Sequence, residues 1–137
     1  MERVTLDNVT TERVVIRRKS NTYYLFDKFN ELSTVGVLRL SGDNTCCILN
    51  ITISPEYRRR GYAIEVLSVT LLWLFFTATV SCVNVVTDVD NHIAMHLADK
   101  FGFIPRELFT LGKSYRLYTL TGTRWMAFNG KFGDDDT

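Results

Sequence analysis

The sequence predicts an α/β domain: a mixed, mostly antiparallel sheet with two main helices packed on it. Three observations carry this. Short β-branched and aromatic runs are separated by Gly-, Asn- and Asp-containing turns, the pattern of strands joined by hairpins. Two stretches, Ala63 to about Val80 and Asn91 to Phe101, have the length and spacing of helices. The 137 residues are 46% hydrophobic and 12% aromatic, which suits one ordered domain with a sizeable core. The expected organisation is a single domain over residues 1–133, followed by an acidic tail at residues 134–137 that frays.

Taken in order, residues 2–6 open the chain and Glu12–Arg18 forms a strand. Ser20-Asn21 is a turn signal, Tyr23–Phe26 a second strand, and Asp27–Ser33 a polar connection. Thr34–Leu40 alternates as a third strand, and Ser41-Gly42-Asp43-Asn44 marks a hairpin leading into a fourth at about Cys46–Ser54. The long helix follows, then a buried strand at Cys82–Thr87. Asn91 is placed to cap the second helix, whose apolar face is Ile93, Ala94, Leu97 and Phe101, with Gly102 as its stop. Phe103–Thr110 and Ser114–Leu120 form a closing hairpin, and residues 121–133 fit neither pattern.

The stretch Ile51–Ala63 organises the rest. Ile51 and Ile53 alternate with Thr52 and Ser54 as in a half-buried strand, and Pro55, lacking an amide, ends it. Gly61 stands where the chain turns sharply into the long helix. A strand feeding a glycine-containing loop at a helix start makes an anion site, because unpaired amides converge there and the helix dipole adds positive charge. Arg58, Arg59 and Arg60 beside it suit a phosphate-bearing ligand, although solvated arginines at an ordinary turn give the same pattern.

A net charge of +1 argues against a general nucleic-acid binder. Cys46, Cys47 and Cys82 are odd in number and lack metal-ligand spacing, so the reading is reduced thiols in a cytoplasmic protein without a metal. No cationic leader precedes a short apolar segment, hence no secretory signal is expected. Residues 66–86 lack charge and are long enough to span a bilayer. Ser68, Thr70, Thr77, Thr79, Ser81 and Asn84 interrupt them, and the β-branched second half reads as a strand, so a helix followed by a strand is preferred to a membrane span.

Two motifs now stand at a telling distance. Arg58-x-x-Gly61-x-Ala63, preceded by Ile51-x-Ile53-x-Pro55-Glu56-Tyr57, resembles the acetyl-CoA signature of the GNAT N-acetyltransferase superfamily. Asn91-x-x-Ala94-x-x-Leu97, ending in Lys100-Phe101-Gly102-Phe103, resembles that superfamily's second segment. The resemblance runs from Thr34 to about Leu120. It implies acetyl-CoA as cofactor, with the backbone of Ile51, Thr52 and Ile53 along the pantetheine arm. It also implies that the amides from Arg59 through Gly61 and Tyr62 to Ala63 hold the pyrophosphate, with Arg58, Arg59 and Arg60 near the phosphates and Asn91 on the pantetheine side. Finally, it implies that the strands Cys46–Ser54 and Cys82–Thr87 splay apart at the centre of the sheet.

The sequence departs from the superfamily in two respects. Where relatives carry a tyrosine that protonates the leaving thiolate stands Ala98, and the strand positions that hold a general base carry Cys46, Cys47 and Asn50, or Val85, Val86 and Thr87. Asn50, Asp88 and Tyr118 are the remaining catalytic candidates. The two helices that wall the acceptor site have no room between Arg18 and Tyr23, and a remnant within Asp27–Ser33 spans one or two turns at most. The implied activity is acetyl transfer to an amine of a protein or peptide by direct attack on the thioester. The alternative is a GNAT-like protein-binding module or inhibitor. On the long helix, Ala63, Leu67, Thr70, Leu71, Leu74 and Ala78 share one face; Glu65, Ser68, Leu72, Phe76 and Thr79 lie opposite, with Trp73 beside them. So apolar an outer face predicts a homodimer or heteromeric complex through residues 63–80, unless residues 121–133 fold over it.

Overall fold

The computed structural model describes residues 9–20 and 22–135, with side chains as far as Phe128. The opening segment at residues 2–6, Asn21 of the first turn, and Asp136 and Thr137 of the acidic tail lie outside the described residues. The chain forms two compact units, Met1–Val80 and Ser81–Thr137.

The first unit is an antiparallel meander. Strands β1 (Val9–Thr10), β2 (Val14–Lys19), β3 (Thr22–Asp27), β4 (Asn30–Gly42) and β5 (Cys46–Ile53) each pair with the next. Period-2 alternation sends Val14, Ile16, Tyr23, Leu25, Leu38, Leu40, Cys47 and Leu49 into the core. The connection expected at Asp27–Ser33 is mostly strand, and no helical remnant occurs there among the described residues. The cause is local: the Asp27 carboxylate accepts the Phe29 amide at 2.9 Å, so Lys28 and Phe29 alone make the turn. At the next turn the Asp43 carboxylate takes the amides of Thr45 and Cys46 at 2.9 and 3.1 Å, as the hairpin signal predicts.

Helix α1 (Tyr62–Leu72) packs along β5 and continues as a wider π turn over Trp73–Thr77. The expected regular helix to Val80 is therefore corrected. Ala78 donates its amide to Trp73 O at 3.0 Å, and Val80 donates to Leu74 O at 2.9 Å. Leu74 and Val80 are six residues apart, positions that a regular helix places on different faces, yet both are buried. The widened turn, closed by Thr79 at φ +53°, reconciles them. The buried face is Tyr62, Val66, Leu67, Thr70 and Leu71 with Leu74; Ala63 and Ala78, expected on it, are only half-buried. Each large aliphatic side chain there contributes at most about 1.5–3 kcal/mol. Leu72 and Phe76 are 48% and 57% exposed.

The second unit holds β6 (Cys82–Asp88), α2 (His92–Lys100), β7 (Ile104–Leu111), β8 (Lys113–Thr121) and α3 (Gly122–Asp135). Strand β8 pairs antiparallel with both β6 and β7. Asn91 caps α2 as predicted, its Oδ1 accepting the Ala94 amide at 3.1 Å. The apolar face of α2 is rotated from the expected one: Ile93 is 70% exposed, and Ala98 is the buried position. Residues 121–133 resolve into a third helix beyond the two expected, where Thr121 Oγ1 accepts the Arg124 amide at 3.2 Å. Arg124 Nε donates to Gly102 O, and Trp125 is buried. Gly102 ends α2 at φ +86°, and a Cβ there would lie 3.1 Å from the Phe128 ring. Among the described residues, no helix is long and apolar enough to cross a membrane.

Candidate functional site

The site is assembled where β5 ends. Ser54 donates its amide to Val35 O at 2.7 Å and its hydroxyl to Thr34 O at 3.1 Å, so the strand's last residue is held against β4. Pro55–Tyr57 then form one 3-10 turn. Arg59 (φ +63°) and Gly61 (φ +80°) both take the left-handed conformation, and α1 begins at Tyr62. Glycine suits its position because a side chain there is strained whatever space surrounds it.

No side chain caps this helix end. The first α-helical bond shown at the entrance runs from the Glu65 amide to Gly61 O at 3.1 Å. The amides of Gly61, Tyr62, Ala63 and Ile64 thus lack intrahelical acceptors, and the helix dipole makes the end electropositive. Arg58, Arg59 and Arg60 are exposed around it. Amides, dipole and guanidinium groups together suit a phosphate or diphosphate group. Ile51, Thr52 and Ile53 lead into the loop in register with Leu38, Val37 and Gly36 of β4.

Beneath the loop lies a polar cluster that the sequence does not announce. Arg13 Nε donates to Glu65 Oε1 at 2.7 Å, and the Arg13 amide donates to Glu65 Oε2 at 2.8 Å. The Thr11 hydroxyl also donates to Oε2. Arg13 Nη2 donates to Arg60 O at 3.0 Å, and its guanidinium carbon lies 3.9 Å from the centre of the Tyr62 ring. Tyr57 meets the same ring edge-on at 5.3 Å and donates its hydroxyl to Asp27 Oδ2 at 3.1 Å. Burial opposes ionisation of Glu65, but the hydrogen bonds from Thr11 and Arg13 outweigh it and hold the carboxyl below its ordinary value. The hydrogen bond to Glu65 raises the Arg13 pKa in turn.

The other candidates are placed as follows. Asn50 is exposed on β5, opposite Arg39. Asp88 ends β6; its Oδ1 accepts the Asp90 amide at 2.9 Å and its Oδ2 lies 3.8 Å from Lys113 Nζ. Tyr118 is buried at 3% exposure on β8, and burial followed by the charge of Asp99 pushes its pKa up. Asn91 serves as the α2 cap, and the Ala98 position is filled by core packing. Burial, with the neighbouring Cys46, pushes the Cys47 thiol up to about 11. Among the described residues, no group of three or more His, Cys, Asp or Glu side chains is placed to hold a metal ion.

Comparison with known proteins adds a family and a fold. The family described as an acetyltransferase (GNAT) domain matches residues 6–104. A GNAT-family acetyltransferase from Bacillus anthracis superposes with a TM-score of 0.76 at 13% identity, over 85% of this chain and 99% of that one. A spermidine N-acetyltransferase from Vibrio cholerae, solved in complex with CoA and spermine, superposes at 0.66 and 17% identity, over 77% and 67% of the two chains. At such identities the likeness is one of fold. A search of curated proteins finds no match.

Proposed function

The chain belongs to the GNAT acetyltransferase family, and from that we propose that it is an acetyl-CoA-dependent N-acetyltransferase acting on an amine of a protein or peptide. The observation that carries this reading is the uncapped start of α1, entered through Gly61 at φ +80° and flanked by three exposed arginines. When bound, acetyl-CoA supplies the acetyl group as a thioester, which an amine attacks at the carbonyl with loss of the CoA thiol. In the proposal the amides from Arg59 through Gly61 and Tyr62 to Ala63 hold the diphosphate, and Arg58, Arg59 and Arg60 balance its charge. The backbone of Ile51, Thr52 and Ile53 aligns the pantetheine arm, and the role on the pantetheine side implied for Asn91 rests on the family resemblance.

The protein's catalytic contribution in this reading is positioning of the reactants rather than proton transfer by a dedicated side chain. Among the described residues no acceptor-side helix lies between β2 and β4, which supports a protein or peptide acceptor over an enclosed small molecule. The exposed Leu72 and Phe76 support a homodimer or heteromeric complex through residues 63–80, and three cysteines, an odd number without metal-ligand spacing, support a cytoplasmic setting.

Two observations favour a second reading, a GNAT-like protein-binding module or inhibitor: Asp88 is engaged in its own turn and Tyr118 is buried. Calorimetric titration with acetyl-CoA, followed by intact-mass analysis of peptide amines, separates the two. Saturable binding abolished by Gly61→Val, together with a gain of one acetyl mass on a peptide, supports the enzyme. Binding without transfer to any amine favours the module. A Gly61→Val chain that is folded and binds acetyl-CoA unchanged overturns the assignment of the loop.

A further inference from the structure

We infer that Arg13 is a positioning residue for the diphosphate-binding loop, setting the direction of the Gly61 amide from a point 47 residues before Arg60 in the chain. The inference rests on the acetyl-CoA reading above.

The geometry is specific. Arg13 reaches the helix entrance through its Nη2 bond to Arg60 O at 3.0 Å and through its stacking on Tyr62 at 3.9 Å. Arg60 C=O and Gly61 N–H belong to one peptide unit, which is planar and trans, so the two groups point in opposite directions. Drawing the Arg60 carbonyl toward Arg13 therefore turns the Gly61 amide away from it. Tyr62, the first residue of α1, is held between the Arg13 guanidinium and the edge of Tyr57. Residues on both sides of Gly61 are thus fixed by one guanidinium.

That guanidinium is itself aimed. Glu65, one turn into α1, accepts Arg13 Nε at 2.7 Å with one oxygen and the Arg13 amide at 2.8 Å with the other. Thr11 donates its hydroxyl to the second oxygen and accepts the Val14 amide at 3.0 Å. Because Glu65 balances the charge of Arg13, the pair acts by orientation rather than by net positive charge. Lysine keeps the charge but lacks the planar fork needed to reach Glu65 and Arg60 together. A residue serving charge alone would tolerate Arg13→Lys; one serving orientation would not.

The test uses the full chain, with CoA and inorganic pyrophosphate as probes. Calorimetry gives CoA affinity, the Gly61 amide resonance follows pyrophosphate titration, and ligand-free melting shows that each variant is folded. Arg13→Lys and Arg13→Gln are both expected to weaken CoA by about tenfold and to remove the saturable pyrophosphate shift of the Gly61 amide. Thr11→Val, which removes one bond to Glu65 and the acceptor of the Val14 amide, is expected to move both readouts the same way by a smaller factor, and it answers the question if the Arg13 variants fail to fold. Wild-type-like CoA affinity in folded Arg13→Lys, or in Thr11→Val where the Arg13 variants do not fold, overturns the inference alone. A wild-type chain that binds neither CoA nor pyrophosphate overturns the acetyl-CoA reading, and the inference with it.

Discussion

Arg58 donates its Nε–H to the carbonyl of Ile53 at 2.8 Å, so the first arginine of the loop fastens the end of β5 to the turn that follows it. This bond spends one guanidinium edge on structure. Arg58→Lys keeps the charge and loses the bond, and on an exposed site the cost is about 0.5–1 kcal/mol. Urea denaturation at neutral pH should show this loss with an unchanged m-value.

Glu65 links the loop to acidity. Its carboxyl titrates below the ordinary value in the folded chain, so its ionised bonds stabilise the fold above the unfolded value, about 4.3. That stabilisation is lost as pH falls through the lower folded value. Glu65→Gln should therefore be less stable than wild type near pH 7, and the gap should narrow as the pH is lowered from 5 towards 3. Parallel melting curves across that range measure it; a constant gap contradicts the role of the ionised carboxylate.

Which of these features the sequence discloses follows from the range of the physics. Gly61 and Asn91 are legible because a left-handed position and a helix cap each demand a residue type at a fixed local offset. In the first unit β2, β3, β5 and the Thr34–Leu40 part of β4 are legible for the same reason, since alternation and turn chemistry are short-range, whereas β1 and the start of β4 at Asn30 are not. Arg13 and Glu65 are not: the contact joins residues 52 apart, and Glu65 reads as a surface charge on a helix. Helix α3 was hidden by Gly122, Gly130 and Gly133, which lower helix propensity along its length. The rotated face of α2, with Ile93 outside and Ala98 inside, depends on packing that no periodicity in nine residues fixes.

Thr79 occupies the left-handed position that closes the π turn, at φ +53°, where no glycine is available. Its hydroxyl donates to Ala78 O at 2.7 Å, which partly offsets the strain. The left-handed conformation costs a non-glycine residue about 1–2 kcal/mol. Thr79→Gly should gain stability, by up to about 1 kcal/mol after the greater flexibility of the unfolded glycine chain is counted. Thermal unfolding monitored by circular dichroism reads the change, and a lower midpoint would show that the hydroxyl bond outweighs the strain.

The buried Cys47 thiol, raised to about 11, stays protonated far above the pH at which an exposed cysteine ionises. A disulfide exchange reagent at pH 8 should modify Cys47 more slowly in the native chain than Cys46 or Cys82, which are half-buried. In guanidinium chloride the three should react at similar rates. Peptide mapping of the modified sites after a timed quench distinguishes them.

The meander of the first unit also sets an order of events in time. Each of its strands pairs with the next along the chain, so zipping β1 through β5 closes only short loops. The bonds from Thr11 and Arg13 to Glu65 instead close loops of 54 and 52 residues. They have little to gain until the meander and the first turns of α1 exist, so they belong to the final stage of assembly. Weakening them should therefore quicken unfolding while leaving the folding rate nearly untouched. The grip beneath the loop would then act as a latch on the native state, setting how long the first unit stays closed rather than how fast it forms.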